Sequence, residues 1–147
     1  MKVEKSIVIA ASPERVWRAW TDEISRWWVK PYFIDPERAL GLVIEPHAGG
    51  RFVEKWGDDG VGYLLGHVIE WLPPQRLGFT WTENDWSGVS TVVWVKFHEE
   101  GRGTRVTLVH EGFDRVPDGA GQRSSYESGW GDLLGKCQAY AEKGNSS

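Results

Sequence analysis

The residue types able to do chemistry here are four histidines, one cysteine, scattered carboxylates and ten tryptophans. His47, His67, His98 and His110 stand at spacings that fit no zinc site, and Cys137 supplies no second ligand. No metal and no cofactor is therefore expected. His110 closes an alternating stretch just ahead of Glu111-Gly112. Two roles fit it: a hydrogen-bonded strand-end residue, or a polar group or base that faces a cavity. His67 shares a strand face with Leu65, Ile69 and Trp71, and reaches a cavity only if that face turns inward. Glu54 alternates with Phe52 and Trp56. Facing inward, it would be a carboxylate in an apolar cleft, where desolvation raises its pKa. Facing outward, it would be solvated, as Glu45 and Glu70 are expected to be. No carboxylate pair stands at a spacing that suggests glycosidase or proton-abstraction chemistry. Gly57, Gly60 and Gly62 lie between strands with no Gly-Lys-Ser/Thr after them, so they form a hairpin rather than a phosphate loop. Ser128-Gly129 falls inside a helix and is no nucleophile elbow.

The tryptophans carry the most information. Each aromatic ring can bury about 150–250 Å², so ten of them either fill a core or wall a pocket within it. Trp17, Trp20 and Trp130 fit the core faces of helices. Trp27 and Trp28 are adjacent, and a helix cannot bury both in one direction; one is expected at a cavity mouth or against a partner. Trp56, Trp71, Trp81 and Trp94 fall on strands, where indole N–H groups would supply hydrogen-bond donors to an apolar cavity.

These side chains need elements to position them. The longest is a helix over 122–143, with Tyr126, Trp130, Leu133, Leu134, Cys137 and Ala141 recurring at intervals of three and four. Gly129 in mid-helix costs about 1 kcal/mol relative to alanine, and the expected compensation is close approach of a strand or a bulky side chain. A strand over 2–11 opens the chain. Ser12-Pro13 then supplies a cap and a first-turn proline for a short helix over 13–20. Asp22 reads as the cap of a second short helix ending before Pro31, and 32–39 as a loop. From Leu40 onward strands and turns alternate through His110, with a hairpin signal at Asp58-Asp59-Gly60. Hairpin-length connections imply an antiparallel sheet, which must curl, and the last helix is the element able to fill its concave side. The reading is one α+β domain over 1–147, ordered over about 3–143. Net charge is −4 with no basic run, which argues against nucleic acid. The N-terminus shows no signal-like apolar region and no stretch approaches the roughly 20 apolar residues needed to span a bilayer, so a cytoplasmic location without membrane insertion is expected. Cys137 is a buried small hydrophobe on this reading.

The local motifs resemble a known family. Ile9-Ala10-Ala11-Ser12-Pro13-Glu14-Arg15-Val16-Trp17, the Trp27-Trp28 pair, Gly49-Gly50-Arg51-Phe52, Gly66-His67-Val68-Ile69-Glu70 through Trp81, His110-Glu111-Gly112-Phe113 and Gly129-Trp130 are similar in order and spacing to the START/SRPBCC helix-grip superfamily. The branch is the one named after the activator of heat shock protein 90 ATPase, C-terminal-domain-like. The resemblance implies a helix-grip fold: a curved antiparallel sheet of about six to seven strands around a long C-terminal helix, with two short helices after the first strand. It implies function only coarsely. The expected function is binding of a small apolar or aromatic molecule between sheet and last helix. Tyr63, Trp81, Trp94, Tyr126 and Trp130 are the expected walls, with Glu54, His67 and His110 as polar contacts. Two alternatives stand beside it. One is a protein-interaction module resembling a chaperone partner, with an exposed apolar patch around Trp27, Trp28 and Trp86. The other is a cyclase- or hydrolase-type enzyme using Glu54 or His110 as acid–base.

Overall fold

The computed structural model describes residues 1–57 and 62–145. The Asp58-Asp59-Gly60 turn lies outside the described residues. The chain opens with β1 (Lys2–Ile9), whose Val3 and Ile9 are fully buried. Next comes α1 (Pro13–Trp20), capped by Ser12 accepting a bond from the Arg15 N–H. Pro13 fits because the first helical N–H needs no partner. The strands follow: β2 (Gly41–Ile44), β3 (Arg51–Lys55), β4 (Gly62–Leu72), β5 (Arg76–Trp81), β6 (Thr91–Glu100) and β7 (Gly103–Glu111). The last element is α2 (Gly119–Asn145), 27 residues and so about 40 Å long.

All strand pairs are antiparallel, in the order β1-β7-β6-β5-β4-β3-β2. The curled sheet and the long helix are those expected, with seven strands. Two irregularities curl it. Against β3 the register shifts so that Leu65 has no opposite residue, and against β5 it shifts between Val68 and Glu70. Extra residues of this kind bend a strand and increase its twist.

The second short helix takes a different form. Only a 3-10 turn, Ile24–Arg26, forms there, and no side chain caps it. The adjacent tryptophans explain this. Leaving the helix lets both go inward: Trp27 is 3% and Trp28 6% exposed. The Trp27 indole donates to the Ala19 carbonyl at 2.7 Å and that of Trp28 to the Tyr32 carbonyl at 3.3 Å. Trp86 is also fully buried, within the 3-10 turn Asn84–Trp86. The apolar surface patch expected of these three residues is therefore not formed.

The core lies between the sheet and α2, which packs on β1 and α1. Trp130, Leu133, Leu134, Cys137 and Ala141 are buried along one side of α2, with burial pushing the Cys137 thiol up to about 12. At the outer end, Glu23 accepts bonds from Arg15 and from the Tyr140 hydroxyl, both 2.6 Å, tying α1 to α2. No described helix is long and apolar enough to cross a membrane.

Candidate functional site

Six residues of α2 mark the site: Gln122, Ser125, Tyr126, Gly129, Trp130 and Leu133. Their spacing of three and four puts them in one stripe. Facing the stripe is the segment 31–34, which follows Trp28, and beneath it lie Trp81 at the end of β5 and Glu83 just after. Together they enclose a cleft of about 330 Å³, at the small end of the usual range for ligand pockets. Three indoles meet at its base. Ring centroids of Trp28 stand 6.0 Å from Trp81 and 5.8 Å from Trp130, and Trp81 stands 6.4 Å from Trp130.

Gly129 explains how the walls come so close. A Cβ there would lie 3.2 Å from the Tyr32 ring, so the helix accepts glycine's cost to seat that ring. The Tyr32 hydroxyl then donates to Asp132 at 2.7 Å, closing the outer wall onto α2. That bond is also the main reason its hydroxyl is held above its ordinary pKa.

Glu54 holds the same wall from the other side. It is 1% exposed and accepts the Ile34 N–H at 2.6 Å, the Asp35 N–H at 2.9 Å and the Trp56 indole at 2.7 Å. The carboxylate thus replaces the backbone partners that an irregular segment lacks. It points to the segment behind the cleft, and does not line the cleft itself.

His110 lies behind Trp130. The Trp130 indole donates to Nδ1 at 3.0 Å. An indole N–H can only donate, so Nδ1 is an acceptor and the proton sits on Nε2. Nε2 then donates to the Thr91 hydroxyl at 2.7 Å, which donates to the Trp81 carbonyl at 3.0 Å. Protonating Nδ1 would break the first bond, and burial without a carboxylate lowers the imidazole to about 3. The ring is a neutral bridge between sheet and helix.

The polar end of the cleft is a second chain. The Trp81 indole donates to the Tyr126 hydroxyl at 2.8 Å, and that hydroxyl donates to Glu83 Oε2. Burial raises the Glu83 carboxyl above its ordinary range and the nearby Asp85 adds to the rise, while the Tyr126 bond opposes it. Desolvation, with the Glu83 charge, likewise holds the Tyr126 hydroxyl far above its usual value. Among the described residues no group of three or more His, Cys, Asp or Glu could hold a metal.

With this geometry in view, the comparisons decide the family. The model for activator of Hsp90 ATPase homolog 1-like proteins matches residues 10–142. The chain belongs to that family. The structure of protein MLL2253 from Mesorhizobium loti is similar at a TM-score of 0.76, with 22% identity over 97% of this chain and 98% of that one. An AHSA1-like protein from Aeromonas hydrophila gives 0.71, with 24% identity over 98% and 94%. The structure of Txn09, an anthrahydroquino-γ-pyrone synthase, gives 0.58, with 34% identity over 84% of each chain. No curated protein sequence matches.

Of the residues singled out in the sequence of this AHSA1-like chain, Trp81, Tyr126 and Trp130 come together on the cleft. Glu54 and His110 stand directly behind its walls. Tyr63 lies opposite Glu54 in the register and packs on Trp56 at 6.2 Å, beyond the cleft. His67 and Trp94 are on the other side of the sheet, which corrects their expected placement. The extra residue Leu65 breaks the alternation of β4, so Leu65 and Val68 are both buried and His67 is exposed. Trp94 pairs with Gly78, lies over it on the outer face, and carries the Arg76 guanidinium at 4.9 Å. Val93, Val95 and Phe97 alternate inward around it, a signal that would have found this. Sequence reasoning missed Glu83, the 31–34 wall, and Gln122 and Ser125, although the helical stripe through Tyr126 and Trp130 points to the last two.

Proposed function

We propose that this protein binds a small apolar or aromatic molecule in the cleft between α2 and the segment 31–34. The observation that carries the reading is the cleft itself, about 330 Å³ with Trp28, Trp81 and Trp130 at its base and Glu83 with Tyr126 at one end. Pockets for small ligands combine apolar walls with a few convergent polar groups in this way. The helix-grip fold and the likeness to a synthase named for an anthrahydroquino-γ-pyrone product support an aromatic occupant.

Acid–base chemistry by His110 or Glu54 is not favoured, because each already bonds protein partners with the atoms it would need. An acid–base step in the cleft would fall to Glu83 and Tyr126, two titratable groups on it that share a proton-donating bond.

Amide NMR titration against planar aromatics tests the binding reading. Saturable shifts should cluster on 31–34 and on the α2 stripe. Ser125 is exposed, so Ser125→Trp would fill the cleft without disturbing the core and should reduce affinity by about tenfold or more, the scale of one good apolar contact. Unchanged binding in the folded variant would place the ligand elsewhere.

A further inference from the structure

The stripe that lines the cleft changes character along α2. Gln122, Ser125 and Tyr126 offer polar groups at the N-terminal end, and Gly129, Trp130 and Leu133 offer none beyond an indole already bonded to His110. Eleven residues separate the two ends, about 16 Å of helix. Glu83 sits at the polar end through its bond from Tyr126.

Among the described residues, Glu83 is the one carboxylate lining this cleft, and no lysine, arginine or histidine lines it. Tyr126 occupies Oε2, and Oε1 takes no hydrogen bond from any described residue. Nor is Oε1 sealed away, because Glu83 is only half-buried. The surroundings reinforce its sign. Asp85 lies near enough to act on Glu83, Asp132 holds the Tyr32 hydroxyl, and the faces of indole rings are themselves negative. Apart from the Tyr126 hydroxyl no described residue lining the cleft answers this charge, and none there is a cation, so a ligand must either avoid it or answer it.

From this arrangement we infer that the cleft selects aromatic ligands bearing a hydrogen-bond donor, a protonated amine above all, at the end that meets Glu83 Oε1, and rejects the same skeleton bearing a carboxylate. This rests on the cleft being the ligand site. The planar body would lie against Trp28 and Trp130, with the donor toward Glu83. A cation placed there gains from the carboxylate and from the ring faces at once. A carboxylate would meet a like charge in a site with few compensating donors.

A matched series separates this from the broader reading: naphthylmethylamine, naphthylmethanol and naphthoic acid, titrated at neutral pH into wild-type protein and Glu83→Gln. The substitution keeps shape and leaves an acceptor for Tyr126. In the wild type the amine should bind about tenfold or more tighter than the acid, with the alcohol between them. In Glu83→Gln the spread should collapse while the alcohol still binds. The wild-type ranking stands by itself even if the variant folds poorly. An acid that binds as tightly as the amine, or a spread that survives in Glu83→Gln, overturns the inference and leaves the ligand site standing. Failure of all three to shift amides of α2 and 31–34 overturns both.

Discussion

At the scale of single residues, the partners given to His110 decide its protonation state. His110 has both ring nitrogens committed, one to an indole that can only donate, so it stays neutral. Its folded-state value is about 3, against 6.5 ordinarily. A histidine lowered on folding binds fewer protons in the native state than in the unfolded one across that interval. The His110 contribution to stability therefore rises with pH between about 3 and 6.5, and is lost as pH falls. The slope from one such group approaches about 1.4 kcal/mol per pH unit. His110→Gln keeps a polar side chain but cannot titrate, so its denaturation free energy should lack that part of the slope, whatever its baseline stability. Urea denaturation at pH values across the interval reads this directly. Equal slopes in the two proteins would mean that His110 is not held neutral.

At the scale of elements, the decisive piece is the wall 31–35, which a single 3-10 turn, Lys30–Tyr32, begins and which is irregular from Phe33 on. Glu54 supplies the Ile34 and Asp35 N–H groups with acceptors, and Tyr32 ties the wall to α2. Glu54→Ala leaves three donors without partners. At about 1–3 kcal/mol for an unsatisfied buried group, offset where water can enter, a loss of about 2 kcal/mol or more is expected. Amide exchange should accelerate across 31–35 while the buried face of α2 stays protected; uniform acceleration would point to global destabilisation instead. This wall also marks where the sequence was legible and where it was not. Ser12-Pro13 announced α1 to the residue because a cap and a proline act locally. The α2 stripe was legible because its period runs unbroken. The 31–35 wall has no period at all, being held by a glutamate about twenty residues away. His67 was misplaced because the alternation of β4 is broken by Leu65, and a break of that kind depends on the neighbouring strand's register rather than on the residues of β4.

At the scale of the whole molecule, the cleft sets ligand selection against stability. Glu83 is a carboxyl held above its ordinary range, chiefly by burial. A carboxyl raised on folding contributes stability that is present at low pH and lost as pH rises through its folded-state value. Its effect therefore runs opposite to that of His110. The groups facing it are Tyr126 from α2, Trp81 from β5, Tyr63 from β4 and Asp85 from the following turn, and none carries a positive charge. An ionised Glu83 thus stands without a counter-ion at the end of an aromatic cleft. A core optimised only for stability would replace it, as sites built for function often show when mutated. Glu83→Gln should accordingly melt at a higher temperature than wild type at neutral pH, and the difference should shrink as the pH falls from the raised folded-state value into the ordinary carboxylate range, below which it is gone. Saturating the wild type with an aromatic amine should recover part of the same difference, because a ligand that binds only the native state stabilises it by mass action. A Glu83→Gln protein less stable than wild type at neutral pH would show instead that the Tyr126 bond outweighs desolvation, and that this carboxylate is there to hold the fold.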